Sequence, residues 1–66
     1  MRRQPQEGAS VTVVWLGARE AGVIERVEDD GRRVVVVTES ADVVEFVLGG
    51  KGVFVTADNA ARLLLG

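Results

Sequence analysis

Apolar and polar residues alternate along this chain in short runs, and clusters of glycine, serine or acidic residues separate them. Ser10 to Leu16 reads as a first strand, with Val11, Val13 and Trp15 on one side and Thr12, Val14 and Leu16 on the other. Gly17 to Glu20 is the expected loop, and Ala21 to Glu28 a second strand. Within it the spacing of Ile24 and Val27 breaks strict alternation. A β-bulge at Glu25–Arg26 is therefore predicted, turning both side chains inward and bending the strand. Asp29-Asp30-Gly31 is a hairpin signal, because these residue types tolerate positive φ. Arg32 to Thr38 is a third strand carrying four consecutive valines, Glu39 to Asp42 a polar turn, and Val43 to Leu48 a fourth strand. Gly49-Gly50-Lys51-Gly52 is a flexible connector to a fifth strand at Val53 to Thr56. Two readings stay open after that. Thr56 caps a short helix running to Leu65, or a 3₁₀ turn leads to a last strand at Arg62 to Leu65 that covers an open sheet edge.

Fourteen of the 66 residues are valine, against five leucines and one isoleucine. That bias favours strands, since β-branched side chains fit a pleated surface and are stiff in helices. The length allows one domain. Residues 1–9, polar and holding the one proline, read as a flexible tail, and residues 10–66 as a single β-domain. Gly52-Val53-Phe54-Val55-Thr56-Ala57-Asp58-Asn59-Ala60-Ala61-Arg62-Leu63-Leu64 is similar to the closing segment of SH3-like barrels, where a strand, a 3₁₀ turn and a final strand follow one another. Val11-Thr12-Val13 through Gly22-Val23-Ile24 resembles the opening of Sm-type barrels. The resemblance implies an all-β, five- to six-stranded SH3-like small barrel with a short 3₁₀ turn near the C-terminus. Proline-binding SH3 domains use an aromatic groove rich in tyrosine and tryptophan. This chain has no tyrosine and one tryptophan, so that activity is not carried over.

Composition excludes much chemistry. With no cysteine and no histidine, a disulfide framework, a Cys/His zinc site and an imidazole base are all absent. Ser10 and Ser40 have no visible base, and the single lysine lies in a glycine-rich loop, a poor place to desolvate an amine. The chain is expected not to be an enzyme and to need no cofactor. Glu28, Asp29 and Asp30 cluster at a turn but lack the alternating pattern of a calcium loop. Gly49-Gly50-Lys51-Gly52 fails the P-loop pattern at both ends, leaving at most a weak anion contact through Lys51. No apolar run approaches the roughly 18 residues of a membrane span, and none supplies the core of a secretory signal, so a cytoplasmic protein is expected.

What remains is binding. One face of each strand fills a barrel, yet Val35 and Val37 of the third strand and Val43 and Val47 of the fourth fall on the other face. Exposed apolar area of this kind marks interfaces, and small scaffolds without disulfides or metals commonly oligomerise. The expected function is a protein-interaction or assembly module that self-associates through Val35, Val37, Val43 and Val47, or binds another protein there. The alternative is a nucleic-acid-binding barrel using Trp15, Arg19, Arg32 and Arg33. Ten acidic residues against eight basic ones weigh against that alternative.

Overall fold

The computed structural model describes residues 5–65. Its six antiparallel strands are β1 (Ser10–Trp15), β2 (Ala18–Glu28), β3 (Arg33–Thr38), β4 (Val43–Leu48), β5 (Phe54–Val55) and β6 (Ala61–Leu64). Each strand pairs with the next, and β6 returns to β1, closing the sheet into a small all-β barrel. The inner end of the expected tail is tied down: Gly8 N–H donates to the Ile24 carbonyl (2.8 Å), and Ile24 N–H to that of Ala9 (3.0 Å).

Alternation explains the interior. Val11 and Val13 of β1, Val34 and Val36 of β3, and Ala61 and Leu63 of β6 are buried, as are Ile24, Phe46 and Phe54. Their neighbours in sequence point outward. In β2 the register slips between Ile24 and Arg26, the bulge that the spacing of Ile24 and Val27 demands. It lets Val27 pack against the core in spite of the odd separation. Fully burying a Val, Leu, Ile or Phe side chain contributes about 1.5–3 kcal/mol.

Three connections differ from the sequence reading. Gly17 adopts φ 79°, a left-handed conformation that lets Leu16-Gly17 reverse the chain in two residues. Ala18 consequently pairs with Trp15, Arg19 with Val14 and Glu20 with Val13, so β2 takes up most of the expected loop. The one 3₁₀ turn among the described residues lies at Asp29–Gly31, between β2 and β3, and not near the C-terminus. Its Asp29, Asp30 and Gly31 all have positive φ (55°, 56° and 87°), and β3 starts at Arg33. Near the C-terminus the chain makes a non-helical turn. The Thr56 hydroxyl accepts from the N–H groups of Ala60 (2.9 Å) and Ala61 (3.2 Å) and donates to Asp58 Oδ1 (2.8 Å). Thr56 thus caps a turn rather than a helix, and Asn59 at φ 59° stops helical propagation. Ala61 to Leu64 then alternate buried and exposed, which settles the choice for a strand. The same turn cuts β5 to two residues, so it pairs with β4 only at Val47 and Leu48.

Gly22 faces the interior opposite Val11 and Thr38. A β-carbon there would lie 2.8 Å from Val36 Cγ1 and 3.1 Å from the Val37 carbonyl oxygen. Gly22→Ala is expected to cost about 1–3 kcal/mol, the range for overpacking a core. A drop in Tm by circular dichroism checks it.

Candidate functional site

The outer surface of β2, β3 and β4 carries a continuous apolar row. Val23 pairs with Val37, and Val37 with Val43, so three outward valines stand side by side across three strands. Val43 is 66% exposed and Val23 47%, with Val37 half-buried between them. A shallow groove of about 350 Å³ runs beside the row, bounded by Ser10, Ala21, Val23, Val37 and Glu39. The acidic side chains of Glu39 and Asp42, both exposed, lie in the turn that leads into Val43.

Of the four valines nominated from sequence, Val37 and Val43 belong to this row. Val47 lies further along β4, half-buried, opposite Arg33 and Val55. Val35 departs from the expectation. It points outward but is only 4% exposed, standing between Arg26 on β2 and Glu45 on β4. Its cross-strand neighbours are long charged side chains, each in an ion pair, Arg26 with Glu28 and Glu45 with Arg33 (both 3.7 Å), and such side chains lay their aliphatic stems along apolar neighbours. Val35 therefore offers no open area. Val23, which the sequence reading left out, takes its place.

Glu20 fixes the turn that presents Val43. The Trp15 indole N–H donates to its Oε1 (3.3 Å), while the Ser40 N–H (3.1 Å) and the Ser40 hydroxyl both donate to its Oε2. Asp42 N–H in turn donates to the buried Thr38 hydroxyl (3.2 Å). One carboxylate thereby links the β1–β2 hairpin to the β3–β4 turn. The Ser40 hydroxyl, followed by its other donors, holds the Glu20 carboxyl below its ordinary 4.5. Because its folded value is the lower one, Glu20 stabilises the fold above the ordinary glutamate value, and that contribution disappears as pH falls through the folded value. Glu20→Gln is expected to lower Tm modestly at neutral pH and to flatten its decline on acidification below pH 4.5. Parallel thermal melts of the two proteins across that range check it.

The four residues of the nucleic-acid reading are not brought together. Trp15 is half-buried, packs against the core and is hydrogen-bonded to Glu20. Arg19 is outward on β2, opposite Val14. Arg33 is paired with Glu45, and Arg32 lies beyond the 3₁₀ turn at the other end of the barrel. A different basic surface emerges instead. Val14 stands between Arg19 on β2 and Arg62 on β6, and Arg62 faces Val55 on β5. Strands β1, β5 and β6 contain no acidic residue.

Among the described residues no cluster of three or more metal-ligating side chains occurs, and no helix is long and apolar enough to cross a membrane. Comparison with protein-family models, with curated proteins and with solved structures yields no match.

Proposed function

We propose that this protein is a small non-catalytic binding module, an SH3-like barrel in architecture, that self-associates through the outer face of β2, β3 and β4. The observation that carries the reading is the Val23–Val37–Val43 row, with its two ends 47% and 66% exposed and a groove beside it. A monomer gains nothing by presenting three aligned valines to water, whereas a second copy docked about a two-fold axis covers both rows at once. Closure of the barrel argues for side-chain contact over strand addition. The one stretch of β4 without a β5 partner is Val43 to Phe46, at the row's own end. A row of three valines makes a small contact, so concentration-dependent rather than obligate association is expected.

Glu39 and Asp42 flank the row, so a second copy docked on it would bring acidic side chains of both copies close to the contact. Salt screens that repulsion and sulfate strengthens apolar burial. Sedimentation velocity over a concentration series is expected to show a dimer whose population rises with added sulfate. Dissociation on adding salt would instead point to a polar contact and overturn the reading. The nucleic-acid alternative keeps Arg19 of its original four residues, and with it the acid-free face that Arg19 shares with Arg62.

A further inference from the structure

The side of the barrel formed by β5 and β6, whose strands carry no acidic residue, holds a second concavity, unrelated to the valine row. It runs along the outside of β5, has a volume of about 310 Å³, and is lined by Gly50, Lys51, Val53, Val55 and Arg62 among others. Among the described residues neither Lys51 nor Arg62 forms an ion pair; the two salt bridges there engage Arg26 and Arg33. The loop before β5 is closed by Gly52 N–H donating to the Gly49 carbonyl (3.1 Å), and Gly49 N–H donates to that of Val53 (2.8 Å). The two N–H groups between them, those of Gly50 and Lys51, have no acceptor among the described residues. Gly50 has open space where a β-carbon would stand, so a ligand meets no side chain at that peptide. Asp58, next to the lining residue Asn59, is occupied by the Thr56 hydroxyl and the Ala60 N–H.

We propose that this groove is an anion site taking a phosphate-bearing ligand, with Lys51 and Arg62 as charges and the Gly50 and Lys51 amides as neutral donors. A guanidinium, an ammonium and two consecutive peptide N–H groups form the donor set that phosphate oxygens require. The valine floor and a volume at the lower bound of ligand pockets leave room for a small organic group beside the phosphate. Two sources supply that chemistry, a free phosphate ester or diphosphate and the backbone of a single nucleic-acid strand. Arg19, placed beyond Val14 from Arg62, lies where a strand leaving the groove would run.

The test is a pair of ¹H–¹⁵N titrations at low salt, one with inorganic pyrophosphate and one with a short single-stranded oligonucleotide. The expected result is saturable shifts at Gly50, Lys51, Gly52 and the Arg62 side chain. The exposed double substitution Lys51→Ala with Arg62→Ala should weaken them at least tenfold, whereas Arg26→Ala with Arg33→Ala should leave them unchanged. Saturation by pyrophosphate alone identifies a free anion as the source. Tighter saturation by the oligonucleotide, with Arg19 shifting as well, identifies the strand. Shifts that fail to saturate, that spread evenly over all the arginines, or that survive the double substitution would overturn the proposal. The site does not depend on self-association and is tested at concentrations where the protein is monomeric.

Discussion

Phe46→Ala is expected to remove about half or more of the protein's stability. The phenylalanine ring is fully buried at the centre of the barrel, opposite Val34 on β3, and is the largest side chain with no exposure. Removing it takes away the transfer free energy of the ring and leaves a cavity that a closed sheet cannot collapse around. Such truncations cost about 3–5 kcal/mol. At about 0.05–0.15 kcal/mol per residue, a domain of this length has only about 3–10 kcal/mol in total. Far-ultraviolet circular dichroism during urea titration reads the outcome: a midpoint at about half the parent protein's denaturant concentration or lower. Phe46→Leu keeps most of the volume and should retain the fold with a smaller loss.

Val43→Glu is expected to abolish self-association without unfolding the barrel. The side chain is 66% exposed, so the substitution leaves the core untouched and should move Tm by little. In a dimer built on the valine row it places a carboxylate against the partner's apolar surface, beside the acidic residues Glu39 and Asp42. A desolvated, unpaired charge at an interface should weaken the dimer well over tenfold, more than about 1.4 kcal/mol. Sedimentation velocity at a concentration where the parent protein is dimeric gives the answer directly. A variant that still dimerises would place the contact elsewhere.

Most of the architecture can be read in the chain because it depends on local spacing. The bulge follows from two apolar residues three positions apart in a strand of period two. The β3–β4 hairpin follows from two apolar runs around a polar four-residue turn, and β4 has the bounds that its pattern predicts. What escapes the sequence depends on a backbone conformation or on contacts across the barrel. Gly17 looks like the start of a loop, and only its positive φ makes the reversal tight enough for Ala18 to Glu20 to join the ladder. Thr56 carries a capping signal that suits a helix and a tight turn equally well, and Asn59 decides between them.

The proposed interaction surface is half legible for the same reason. Parity puts Val35, Val37, Val43 and Val47 outside, and it is right about direction. Exposure, however, depends on what stands on the neighbouring strands. Arg26 and Glu45 stand opposite Val35, a fact that needs the register of β2 against β3 and of β3 against β4. The bulge hides Val23 by interrupting the pattern just after it, although alternation with Gly22 and Ile24 already marks its outward direction. Glu20 gives no sign in sequence of its link to Ser40, twenty residues away.

The central claim, that a second copy covers the Val23–Val37–Val43 row, is tested most directly by ¹H–¹³C methyl spectra of the parent protein across a concentration series. The account predicts concentration-dependent shifts that follow one saturating curve and cluster at Val23, Val37 and Val43, with Val34 and Val36 of the interior unmoved. Spectra that stay the same from dilute to concentrated solution, or shifts centred on Val14 and Leu64 of the opposite face, would contradict it.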